Sequence, residues 1–307
     1  MNKTNYLEKP YFEHKSYWTQ LGYLLLIFAG GLFILSAFGQ LLGQWIWGDF
    51  GQLTDNAKAD FIRFSQTFSS IGSFLLPALF FSSLATRHPF RYSNSTQLPS
   101  SFSVGMVIFL SLLLLPIVML LASWNEMITL PDALADVEKW MRSLSQKSEE
   151  LLQLLTADLS QTTLFLNLIV LGLLPAVCEE FFFRGTLQPF FRKWTGNPHI
   201  AIIITAFIFS FMHFEFFGFI PRFLLGLYLG YLLLWSGSVW VPVIAHLCHN
   251  VFSVLLHHLA LRQGIDTEQL QAADLYAYIP LFLVSLIGFI VGINWLRNRE
   301  AMRQTKK

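Results

Sequence analysis

Glu179-Glu180-Phe181-Phe182-Phe183-Arg184 lies inside an apolar stretch running from about Thr163 to Trp194, and it places three ionised groups where a lipid-facing helix carries none. An ionised side chain near the bilayer centre costs roughly 2.5 to 3.5 kcal/mol on insertion scales, so such a helix needs partners or a water-filled cavity. Groups of this kind mark a functional site by default. Two more apolar runs repeat the anomaly, in Phe209-Ser210-Phe211-Met212-His213 and in His246-Leu247-Cys248-His249-Asn250.

Composition explains the setting. Hydrophobic residues make up 54% and charged residues 13% of 307, against roughly 25% charged in a soluble domain. The chain therefore belongs in lipid. A net charge of +1, with no basic cluster ahead of the tail, argues against a nucleic-acid partner. Cys178 and Cys248 both sit in apolar runs and supply no disulfide framework. Met1 to Lys15 is polar and the apolar run after it is too long for an h-region, so no signal peptide is expected.

Crossing ~30 Å of hydrocarbon takes about 20 apolar residues, and eight stretches come close: Leu21 to Trp47, Gln66 to Ala85, Val104 to Ser123, Thr163 to Trp194, Ile200 to Phe216, Pro221 to Trp235, Val239 to Leu259 and Tyr276 to Leu296. The sixth is the short one. This predicts an all-α polytopic membrane bundle of about eight transmembrane helices. Gly226 and Gly230, four apart, read as a close helix contact.

With the N-terminus inside, 13 of 20 Lys and Arg fall on inner segments, Arg184 and the tail included. The positive-inside rule then predicts two cytoplasmic termini in an integral, multi-pass protein of a bacterial plasma membrane. The polar insert from Trp124 to Gln161 carries Leu134, Val137, Met141, Leu144, Leu151 and Leu155 at helical spacing, with a break expected at Ser148. It reads as an amphipathic helix or helix pair on the membrane surface, a packing brace or a gate.

Pro175 removes a backbone donor one turn before the acidic pair and should kink that helix. Glu180 and Arg184 are four apart with the acid first, the favourable order for an intrahelical ion pair. Glu179, one step or about 100° around the helix, faces a different partner. Glu179 lies 18 residues before Asn197 and His213 lies 16 after it, so in a hairpin turning near Gly196-Asn197-Pro198 the two reach similar depth. His246 returns to a similar level on the seventh span, with Asn250 on its face.

These residues carry a resemblance. EExxxR from Glu179 to Arg184 running into Gly185, FxxxH from Phe209 to His213, and HxxxN from His246 to Asn250, preceded by Ser236-Gly237-Ser238 and Pro242, resemble the CPBP group of CAAX-processing and bacteriocin-processing (Abi-type) intramembrane proteases. The eukaryotic members of that group are the type II CAAX prenyl endopeptidases. The likeness covers about Pro175 to Phe252. It implies an eight-helix bundle with a membrane-embedded active-site cavity. It also implies that Glu179 and His213 activate water, that His246 and Asn250 bind the developing oxyanion, and that Glu180 and Arg184 support them. The chain then divides into 1–160 (N-terminal spans and the surface segment at about 124–161), a catalytic core at 161–262, and a last span with basic tail at 263–307.

Elementary chemistry is compatible with these roles. Peptide hydrolysis needs a base for water, and Glu179 is a carboxylate in a low-dielectric setting. The tetrahedral oxyanion needs preorganised donors, which the His246 ring and the Asn250 amide can supply. Glu179, His213 and His246 are equally the ligand types of a catalytic zinc site, and the two readings stay open at this point. Cys178 and Cys248 are poor nucleophiles in apolar surroundings. His249, His257, His258 and His199 read as interfacial or surface groups, and Glu215 as an entrance or supporting residue. The expected activity is an intramembrane metalloendopeptidase-like peptidase acting on a membrane-associated or lipidated peptide or protein, with lipid as the other partner. The alternatives are a silent scaffold or immunity-type regulator on the same fold, or a proton-coupled transporter, the last disfavoured by the lack of paired broken helices.

Overall fold

A computed structural model describes residues 10–265 and 275–304; Lys3, Lys9, Lys306 and Lys307, which enter the charge bias, lie outside them. Among the described residues the chain is helical with no strand. The longer helices are α1 (Tyr17–Trp47), α2 (Asp55–Ala85), α3 (Ser101–Glu126), α4 (Ala135–Thr156), α5 (Gln161–Thr195), α6 (Pro198–Phe211), α7 (Phe219–Ser236), α8 (Trp240–Arg262) and α9 (Leu275–Gln304). Seven are long and apolar enough to cross a membrane, α7 together with the turn that leads into it. α6, with 14 residues, is the shorter one.

The shortfall thus falls on the fifth span, where the sequence placed it on the sixth. The cause is local. The helix stops at Phe211, Phe214 takes a positive φ of 53°, and the chain is already turning at His213, before the expected end at Phe216. A single 3₁₀ turn at Phe216–Gly218 then feeds α7, which gains the length that α6 loses.

Termini are set by turn chemistry. Gly196 closes α5 in the left-handed region, φ +68°, and the Asn197 side chain accepts from the His199 and Ile200 amides to start α6. Gly237, φ +65°, ends α7 the same way.

Three prolines shape the long spans. Pro77, Pro175 and Pro189 each follow a widened π turn, at Ile71–Leu75, Leu168–Leu173 and Phe183–Leu187. Proline lacks the N–H of the helical ladder and its ring crowds the carbonyl four residues back, which here lies inside the widened turn each time. The kink expected at Pro175 is accommodated this way.

Apolar side chains face two ways. On α1, Leu26, Phe33, Leu41 and Trp45, and on α9, Val284, Ile287 and Val291, are exposed. Continuous apolar exposure of this extent suits lipid and not water. Inside, one aromatic cluster gathers Phe81, Phe181, Phe182, Phe183, Phe190 and Phe209, and a second, aliphatic one gathers Val107, Leu110, Leu114, Leu229, Leu232 and Ala245. Glu180 follows the first cluster's helix and His246 the second's, so the polar residues lie along the seam.

α4 is one unbroken helix through Ser148, not a pair. Serine in a helix costs only a few tenths of a kcal/mol, and Gln146 donates to Glu150 at 3.0 Å across the same turn. The end of α4 is fastened by buried Arg63, which donates to the Leu155 carbonyl at 2.6 Å and to Asn167 at 2.9 Å, and by a 3.0 Å bond between Thr156 and His257 on α8. Its first half rests on the turn after His213: the Trp140 ring lies 5.7 Å from Phe216, and the Arg142 guanidinium 4.3 Å above Phe217. Asn125 at the end of α3 ties that turn to the same end of the bundle, donating to Phe216 O at 3.1 Å and accepting from Ile220 N at 3.2 Å.

Candidate active site

The acidic pair sits on α5 between two widened turns. Glu180 is fully buried and its Oε1 accepts from Arg184 Nη1 at 2.7 Å, the ion pair that four-residue spacing predicts. The same oxygen lies 2.9 Å from His246 Nδ1 on α8. One carboxylate therefore joins the first motif to the third, 66 residues away.

Arg184 is likewise sealed from solvent. Its Nη2 donates to the Gly226 carbonyl at 3.0 Å and its guanidinium lies 4.6 Å from the centre of the Phe209 ring. Buried this completely, Arg184 is no loop charge, and it leaves the inner side of the positive-inside count. One turn on, Gln188 donates to the Gly230 carbonyl at 3.0 Å. Residues 184 and 188 of α5 thus hold carbonyls 226 and 230 of α7 in matched register. Both acceptors belong to glycines because α7 presses against α6 here: a Cβ at Gly226 would meet Ala206 at 3.0 Å, and one at Gly230 would meet Ile202 at 2.8 Å. The expected close contact is present, and it also serves the site.

Phe209 organises the histidines. Its ring stands edge-on to His213 at 5.0 Å and to His246 at 5.9 Å, and its carbonyl accepts from His213 Nδ1 at 2.7 Å. A carbonyl only accepts, so His213 carries its proton on Nδ1 and presents a bare Nε2 when neutral. His246 is held in the same tautomer by the Glu180 carboxylate, so its Nε2 carries a proton only in the imidazolium.

Exposure divides the set. Glu180, Arg184 and His246 are buried, Glu179 and Asn250 are half-buried, and His213 is exposed. Glu179 Oε2 is buried with no hydrogen-bond partner among the described residues. Glu179 stands within electrostatic reach of His246, Glu180, Arg184 and Arg222, and His213 of Arg222, His246 and Arg184. Among the described residues, no three His, Cys, Asp or Glu side chains are gathered as a metal would need. Glu179, His213 and His246 as they stand do not fit zinc, and no step below runs through a metal.

Other sequence expectations resolve one by one. Glu215 forms an ion pair with Arg222. His199 bonds the Tyr231 hydroxyl at 3.0 Å near the surface. His249 is half-buried beside a chamber under α4, with Nδ1 unpartnered among the described residues. Cys178 is 1% exposed. Gln188 and Arg222 were not singled out in the sequence; a glutamine one turn beyond Arg184 in an apolar span was the available signal.

Residues 161–252 match the family model of the Rce1-like type II CAAX prenyl endopeptidases. No curated protein and no solved structure matches the chain. The matched segment runs from the start of α5 to the first half of α8 and contains all three motifs.

Proposed function

We propose that the chain is an intramembrane endopeptidase that hydrolyses a peptide bond of a membrane-associated or lipidated peptide or protein, with core 161–262 doing the chemistry. The observation that carries the reading is Glu180 Oε1, shared between Arg184 at 2.7 Å and His246 at 2.9 Å, with the neighbouring Glu179 carboxyl left unpartnered. A sealed scaffold of three residues presents an uncommitted base beside it.

In this reading Glu179 takes a proton from a water molecule that the bare Nε2 of His213 helps to orient, and the oxygen attacks the scissile carbonyl carbon. The oxyanion that forms accepts from the Asn250 amide and from the His246 ring when its Nε2 carries a proton. One such donor is typically worth about 2.7 to 4 kcal/mol. Glu179 then hands its proton to the amide nitrogen, the C–N bond breaks, and an acid and an amine leave. Glu180 holds the His246 ring through Nδ1 at 2.9 Å.

The test is cleavage of membrane and lipidated reporter peptides by purified protein. Glu179→Gln should abolish turnover while the melting temperature in detergent stays within a few degrees. Wild-type turnover retained in that variant would end the proposal. Elemental analysis runs beside it. In the zinc alternative, Glu179, His213 and His246 would hold the metal, and active protein would carry about one equivalent that chelation removes. Full activity with under about a tenth of an equivalent would exclude that form.

A further inference from the structure

Beneath α4 lies a chamber of about 650 Å³ walled by α3, α4, α7, α8 and the turn after His213. Its charged lining is uneven. Arg142 is paired with Glu138 at 2.8 Å and Arg222 is paired with Glu215. Glu126 at the end of α3 and Glu149 on α4 line the same space without an ion-pair or hydrogen-bond partner among the described residues. Lys139 and Lys147, the other cations of α4, do not line it. His257, on α8, is engaged by Thr156. The uncompensated charge in the chamber is therefore acidic. Two more lining atoms point to an occupant: His249 Nδ1 and Ser145 Oγ are buried with no hydrogen-bond partner among the described residues.

The chamber adjoins the site. Arg222 forms its wall and stands within electrostatic reach of both Glu179 and His213, and His249 lies one turn along α8 from His246. A chain lying in this space reaches toward the base and the oxyanion donors.

We propose that the chamber is a substrate subsite for a cationic peptide segment, with Lys or Arg side chains held by Glu126 and Glu149 and polar backbone groups bonded by His249 and Ser145. The assignment rests on the endopeptidase reading and names its substrate class: a peptide with a basic stretch beside the apolar portion that stays in lipid. Unpaired carboxylates in a partly enclosed space attract a cation more than they would in open water, because the surroundings screen less.

Binding, measured apart from cleavage, tests it. Three labelled peptides share one apolar segment and differ only in a flank of three lysines, three alanines or three glutamates. Their affinity for full-length Glu179→Gln protein in uncharged detergent is read by fluorescence anisotropy. The lysine peptide should bind about tenfold tighter than the alanine peptide and lose that margin in 0.5 M salt. Adding Glu126→Gln and Glu149→Gln, both isosteric and at unpaired positions, should erase the preference without lowering the melting temperature. Equal binding of all three peptides, or a lysine preference that survives both substitutions, overturns the subsite. If Glu126→Gln and Glu149→Gln lower the melting temperature, Glu126→Lys alone, a reversal at an exposed position, should turn the preference toward the glutamate flank, and an unchanged ranking there overturns it too. Cleavage by the wild type is scored separately, so absent turnover with intact charge preference would count against the peptidase reading and not against the subsite.

Discussion

Glu180 and Arg184 were legible from spacing alone, since four residues on a helix place two side chains on one face and the acid stands first. The bond from His246 to Glu180 was not, because it depends on how α5 and α8 turn toward one another, which no spacing within either helix records. Removing one partner of a buried ion pair costs about 3 to 5 kcal/mol. Glu180→Gln should therefore lower thermal stability in detergent and activity together, where Glu179→Gln lowers activity alone. Purely catalytic losses from both would dissolve the division between scaffold and base. Cys178→Ala and Cys248→Ala should turn over at near-normal rates, with a dead variant reinstating a thiol mechanism.

Among the elements, the proline at 175 was visible in the sequence but the widened turns were not, because hydrophobic period is blind to a single extra residue accommodated by main-chain bonds. Their contribution is angular: one inserted residue rotates everything beyond it by about 100°. Pro175→Ala permits a regular helix, and activity should fall at least tenfold while the melting temperature changes by only a few degrees. Unchanged activity would mean that the acidic pair keeps its direction without the proline. Gly226→Ala, which presses a methyl group onto Ala206, should cost about 1 to 3 kcal/mol of stability by overpacking.

The fastening of α4 carries its own acid sensitivity. The Leu130 amide and Arg142 hold the Glu138 carboxyl below its ordinary value, and Thr163 and Ser160 do the same to Asp158. A carboxylate whose folded value is depressed stabilises fully above the ordinary carboxylate range, and that contribution is lost as pH falls through the range and beyond. Amide exchange at the two ends of α4 should therefore accelerate on acidification before α5 and α8 loosen. Uniform loosening would place the acid-labile contacts elsewhere.

For the molecule as a whole, composition settled the membrane bundle and the order of spans, and the error fell where one strained residue, Phe214, cuts a helix short. Apolar pattern measures length in lipid but cannot see a backbone that turns early. With Arg184 counted as interior, the remaining bias still favours two cytoplasmic termini. Reporter fusions at both ends should report cytoplasm and a fusion near Gln146 the opposite side; a split between the termini would mean that α6 does not cross.

The paired bonds from Arg184 and Gln188 to the carbonyls of Gly226 and Gly230 bear on how such a protein can be recognised at all. At Gly226 and Gly230 what α7 offers the site is main chain, common to every residue, and the demand on identity there is smallness. Neither bond asks for a particular side chain on α7, in contrast to the motifs of α5, α6 and α8. A partner that holds by its backbone leaves almost no inscription in the letters of the sequence.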